Sequence, residues 1–170
     1  MAVSVDAQIL IWGVKGQATP NRVDMIVRAA HFFAQCRSGK TRIIVPAQAL
    51  AEYLVGFDDE SLQESLRLIS EGFIIAPLDA KAAAIAGELQ RDWDELKGII
   101  SDFKEYGATK QTVKADINVI ASSIASEATT LYTDEAEKFR RIAKGRILIK
   151  RLPELPARQT SIIAEADDGF

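Results

Sequence analysis

With 170 residues, 48% hydrophobic and 26% charged, the chain can bury one core and is too apolar for a disordered segment. It contains no run of about 18 apolar residues to span a membrane, and its opening MAVSVDAQIL lacks the basic start and cleavage site of a secretory signal, so a cytoplasmic protein is expected. The net charge of −3 argues against non-specific nucleic-acid binding, while one cysteine and one histidine exclude an intramolecular disulfide and any cysteine- or histidine-rich metal site.

In chain order, the first predicted element is a buried strand in AVSV that stops at Asp6. Pro20 and Asn21 open a helix whose apolar positions Val23, Ile26, Val27, Ala30 and Phe33 or Ala34 share one face, and SGK breaks it. TRIIVP reads as the second strand, ended by Pro46, which also suits the first turn of the helix AQALAEYLVG. A helix near Glu60 to Ser70 leads through Gly72 to a third strand, FIIAP. From Asp79 to about Lys104 the pattern is helical, with two helices and a break expected between Trp93 and Gly98. TVKADINVIASSIASEA is a strongly periodic helix, TTLYT a fourth strand, Glu135 to Ala143 a helix and RILI a fifth strand.

Short strands alternating with helices predict an α/β fold, a central parallel sheet of about four to five strands with helices on both faces. The expected organisation is one domain over residues 1–151, with an extra helical segment near 79–106 and a C-terminal extension over 152–170. In such sheets ligands bind beyond the carboxyl ends of the strands. That edge selects Asp6 after the first strand, Glu52 in the helix after the second, Asp116 in the first turns of the helix before the fourth, and Asp134 just after the fourth.

Four carboxylates brought together repel one another unless a cation compensates them. All-oxygen ligands suit the hard cations Mg2+ or Mn2+, whose chemistry is activation of water and stabilisation of charge on a phosphodiester. Taken singly, each acid has another reading. Asp134 with Glu137 fits a capping box, Glu52 fits an exposed helix position, and Asp116 fits the favourable end of a helix dipole. Only Asp6, directly after an apolar strand, lacks an obvious structural reason. His31 and Cys36, each in a helical apolar pattern, read as core or boundary residues.

The ordered blocks VSVDAQILI, IIVPAQALAEYLVG, KADINVIASSIA and LYTDEAEKFRRI resemble the PIN-domain family over Val3 to Ile149, and within it the VapC-type toxins of bacterial toxin–antitoxin systems. The resemblance implies a PIN-like fold and a metal-dependent endoribonuclease silenced by a cognate antitoxin protein. It also implies that Asp6, Glu52, Asp116 and Asp134 form the catalytic and metal-binding set. In that setting Lys114, Arg140 and Arg141, with Lys110 as a further contributor, are expected to bind phosphate of the RNA substrate. They fall partly within a basic run, Lys138 to Arg158, where eight Lys or Arg face one acid, Glu154. The sequence departs from the family's pattern at Ala7 and Gln8, where small polar residues are usual, which removes a hydroxyl from the metal's surroundings.

Other phosphate chemistries fail on single residues. SGKT at Ser38 to Thr41 has Ala34 where a phosphate loop needs its first glycine, and an extended run follows it. Gly13 to Gly16 carries no dinucleotide fingerprint, a phospho-receiver needs a second acid beside Asp6, and Gln8 breaks the D-x-D of haloacid-type phosphatases. The alternative from another class is a catalytically inactive PIN-fold scaffold that holds RNA or protein. A homodimer is expected from the apolar helix near Trp93.

Overall fold

The computed structural model describes residues 1–156. Five parallel strands form one sheet in the order β3-β2-β1-β4-β5, where β1 is Ala2–Val5, β2 Arg42–Pro46, β3 Ile74–Ala76, β4 Thr130–Tyr132 and β5 Leu148–Lys150. The central β1 is buried along its whole length, which explains its run of small and β-branched residues. Chain order runs outward from β1 through β2 to β3, then restarts on the other side with β4. The sheet therefore has a topological switch point between β1 and β4, where a crevice opens beyond the strand ends.

Helices cover both faces, as expected. One face carries α1 (Ala7–Leu10), its π-helical continuation Ile11–Lys15, α2 (Asp24–Ser38) and α4 (Asp59–Gly72), packed on Val3, Val5, Ile43 and Val45. The other carries α5 (Ala80–Leu89), α6 (Trp93–Asp102), α7 (Lys110–Ala125) and α8 (Ala136–Ala143), packed on Leu131 and Ile149. Helix α3 (Ala47–Leu54) sends Ala49 to the second core and Leu50 and Tyr53 to the first.

Three boundaries differ from the sequence reading. The break in the long helical region falls at 90–92, ahead of Trp93, because Asp92 caps α6 by accepting from Glu95 N. The fifth strand starts two residues later than RILI predicts, after a left-handed turn at Lys144 and Gly145. The segment after Asp6 is helical through Lys15, ending at Gly16 with φ +65°. The helix near Trp93 also turns its apolar side inward. Leu96 and Ile99 are buried, Trp93 packs against the core and the Lys110 ammonium stands over its ring, so this helix gives no ground for a homodimer. Arg158 and the acidic end of the chain lie outside the described residues, as does the extension beyond 156.

Candidate active site

Asp6 leaves the end of β1 at the switch point and is 8% exposed. Its carboxylate is fixed on both sides: Oδ1 accepts from Ala7 N at 2.7 Å, and Oδ2 accepts from the Thr133 hydroxyl at 2.9 Å. Thr133 is fully buried immediately after β4, and its oxygen also accepts from Glu135 N at 3.2 Å. The hydroxyl that Ala7 cannot provide beside Asp6 thus comes from the neighbouring strand. Burial pushes the Asp6 carboxyl up to about 6, a rise opposed by the Thr133 and Ala7 hydrogen bonds and reinforced by the charges of Glu52 and Glu135.

Asp116 reaches the same edge from α7. Thr109 and Thr112 form a capping box that starts this helix, and Val113, Ile117 and Ile120 bury its inner stripe against the sheet. Deeper along it, the Ser123 hydroxyl lies 2.8 Å from Ser4 Oγ and 2.7 Å from Val119 O, tying α7 to β1. Because α7 runs antiparallel to the strands, its first turns stand beyond their carboxyl ends. That places Asp116 beside the crevice with its side chain 14% exposed. Burial raises its carboxyl to about 7; Lys138 pulls it down, and Asp6 and Glu135 push it up.

Glu52, on the exposed side of α3, lines a pocket of about 220 Å³ together with Asp116, Glu135, Lys138, Tyr106, Gly107, Thr112 and Ala115. Gln48 Nε2 donates to Glu52 Oε1 at 2.9 Å. The structure therefore brings together Asp6, Glu52 and Asp116, contributed by β1, α3 and α7. Asp134 is not among them. Its carboxylate turns outward to the Arg22 guanidinium, no capping box forms at α8, and the next residue, Glu135, faces the pocket.

Lys138 is the feature that sequence reading misses. Its side chain is only 5% exposed, and its ammonium lies 2.8 Å from Glu135 Oε1 and 2.9 Å from Asp116 Oδ2. The approach to Asp116 is poorly aligned as a hydrogen bond, so Oδ2 keeps an unsatisfied lone pair. Burial pulls the Lys138 ammonium down, but Asp116 and Glu135 hold it above its ordinary range. The one hint in sequence is that Glu135 and Lys138 are three apart, about one helical turn, which pairs them without showing that they are drawn into the site.

Of the expected phosphate ligands, Lys114 is exposed and lies off the pocket lining. Arg140 donates to Ile149 O, Arg141 pairs with Asp102 at 2.6 Å, and Lys110 sits over Trp93. None of these four lines the pocket. The cations near it are Arg22, Arg28 and Arg151, along a groove of about 590 Å³ that shares Tyr106, Glu135 and Lys138 with the pocket. Tyr106 is 78% exposed where the two hollows meet.

As to a divalent ion, the oxygen-only donors of Asp6, Asp116 and Glu52 fit a hard cation in chemistry. Among the described residues, however, no three acids form a ready-made ligand cluster, and the space between Asp116 and Glu135 is taken by Lys138.

No family model matches the chain, and no curated protein sequence matches it. Several solved structures are similar to it, two of them as follows. One is VapBC2 from Rickettsia felis bound to a DNA fragment from their promoter, with 17% identity over 90% of this chain and 100% of that one and a TM-score of 0.61. The other is VapBC-1 from nontypeable Haemophilus influenzae, with 16% identity over 91% and 100% and a TM-score of 0.58. Likeness at this level of identity speaks to the backbone. With five parallel strands flanked by helices on both faces, the chain has a PIN-domain, VapC-like fold.

Proposed function

We propose that this protein is a metal-dependent endoribonuclease that hydrolyses RNA phosphodiester bonds, and that it is the toxin of a toxin–antitoxin pair. The observation that carries the reading is the meeting of Asp6, Glu52, Asp116 and Glu135, from four separate elements, at the switch-point edge of the sheet. The likeness in fold to VapBC structures supports the antitoxin part.

Asp6, Asp116 and Glu52 are the residues that would hold Mg2+ or Mn2+, which when bound supplies a Lewis acid for water and the scissile phosphate. The Thr133 hydroxyl and Ala7 N hold the Asp6 carboxylate in one orientation. Glu52 has Oε1 engaged by Gln48, which leaves Oε2 as the oxygen that would contribute to holding the ion. Arg22, Arg28 and Arg151 lie along the adjoining groove, each paired there with an acid, Asp134, Asp24 and Glu137, which RNA phosphate would displace, and Tyr106 offers a face on which a base can stack.

The test is digestion of transfer, messenger and ribosomal RNAs by purified protein, with Mg2+ or Mn2+ and with chelator. Cutting that stops in chelator is expected; chelator-insensitive cutting would reject the metal chemistry. Lys138 gives weight to the second reading, a PIN-fold scaffold without catalysis, because its ammonium already occupies part of the acidic cluster. Calorimetry with Mn2+ separates the two, since the scaffold has no metal affinity at neutral pH.

A further inference from the structure

We propose that Lys138 is a built-in cation standing where a divalent ion would otherwise bridge Asp116 and Glu135, so that this side of the site is closed to metal in the native chain. The inference rests on the metal-binding part of the function proposed above, and it concerns which ions the pocket admits.

The placement is built rather than incidental. Lys138 follows Glu135 by one turn, its side chain is 5% exposed, and Phe139 beside it is fully buried, which fixes the start of α8 against the core. A lysine stem with four rotatable bonds ordinarily keeps its head in water. Here the head points inward to two carboxylates and away from solvent. Their oxygens stand 2.8 and 2.9 Å from the nitrogen, which suits an ammonium; magnesium at the same centre would draw them to about 2.0–2.1 Å. An ammonium also differs in what it can do. It balances charge, yet it lacks the Lewis acidity that lowers the pKa of a bound water. Lys138 therefore removes repulsion between Asp116 and Glu135 without adding a second centre for water activation, leaving the Asp6 and Glu52 side of Asp116 as the place for an ion.

The experiment is titration of the full chain with Mn2+ alone, by calorimetry and by spin-resonance counting of free ion, for wild type, Lys138→Gln, Lys138→Arg and Lys138→Gln/Glu135→Gln. Lys138→Gln is expected to take up one more ion per chain than wild type. Lys138→Arg keeps the charge and should not, and the double variant should lose the gain. Equal stoichiometry in wild type and Lys138→Gln would overturn the proposal. Because Lys138→Gln leaves two acids facing each other, it is also melted in chelator and in Mn2+: recovery of its folding transition by Mn2+ supports the proposal, and failure to recover overturns it. RNA digestion by wild type is read separately. No cutting with a gain of ion in Lys138→Gln would remove the nuclease reading and leave this one; cutting without the gain would do the reverse.

Discussion

Asp134 and Glu135 are adjacent in sequence and separated in role by the turn that follows β4. Thr133 directs that turn, accepting from Glu135 N while donating to Asp6, so Glu135 turns to Lys138 and the pocket and Asp134 to Arg22. Glu135→Gln should therefore slow RNA cutting by tenfold or more, and Asp134→Asn should leave it within a few-fold of wild type, both read as initial rates on one substrate. Comparable losses in both variants would mean that Asp134 serves the site as well. The buried acids also predict a pH dependence of stability. Asp6 and Asp116 titrate near 6 and 7 in the folded chain against 3.8 for their unperturbed carboxyls, so between about pH 4 and 7 the folded state binds more protons than the unfolded one. Their joint contribution is then fully present at low pH and is lost as pH rises through 6 to 7, on the order of several kcal/mol. In chelator, the urea midpoint should fall from pH 5 to pH 8, and Asp116→Asn should flatten that slope. A midpoint that rises over this range in wild type would contradict the buried-acid description.

Among the elements, the helical stretch after Asp6 sets how closely α2 approaches the sheet. A Cβ at Gly13 would stand 2.4 Å from Phe33 Cε2 and 3.1 Å from Ala29 Cβ, and Phe33 is itself packed against Phe32 and Phe73. Gly13→Ala should cost roughly 1–3 kcal/mol in chemical denaturation, with the metal site intact in the survivors. The segment between α6 and α7 works differently, since it adds little core and ends in the left-handed turn at Gly107 that presents Tyr106 to solvent. Tyr106→Ala should raise KM for RNA with kcat nearly unchanged, and Tyr106→Phe should restore it, as stacking requires. Such element-level detail was only partly legible in sequence. Periodicity found every strand and the main helices because burial imposes it. The cap at Asp92 and the turn at Lys144 and Gly145 are local features that the apolar periodicity does not register, while the inward side of the Trp93 helix depends on contacts with distant residues.

At the scale of the whole molecule, the parallel sheet and its switch point make one site out of residues scattered from 6 to 138. Asp6, Glu52 and Asp116 were legible as site candidates because each stands near an element end that the parallel topology sends to one edge. Lys138 was not, since a lysine in a basic run reads as surface until α8 is seen to bury it. The basic residues chosen from sequence, Lys114, Arg140 and Arg141, do not line the pocket, and the groove beside it is supplied instead by Arg22, Arg28 and Arg151, which only the folded arrangement gathers. The central claim is that the gathered acids cut RNA. Its most direct measurement compares wild type with Asp116→Asn, prepared alike and shown by circular dichroism to be folded, cleaving the same RNA in Mn2+. Loss of roughly a hundredfold or more in the variant is the predicted result; equal cleavage by the two proteins would contradict it.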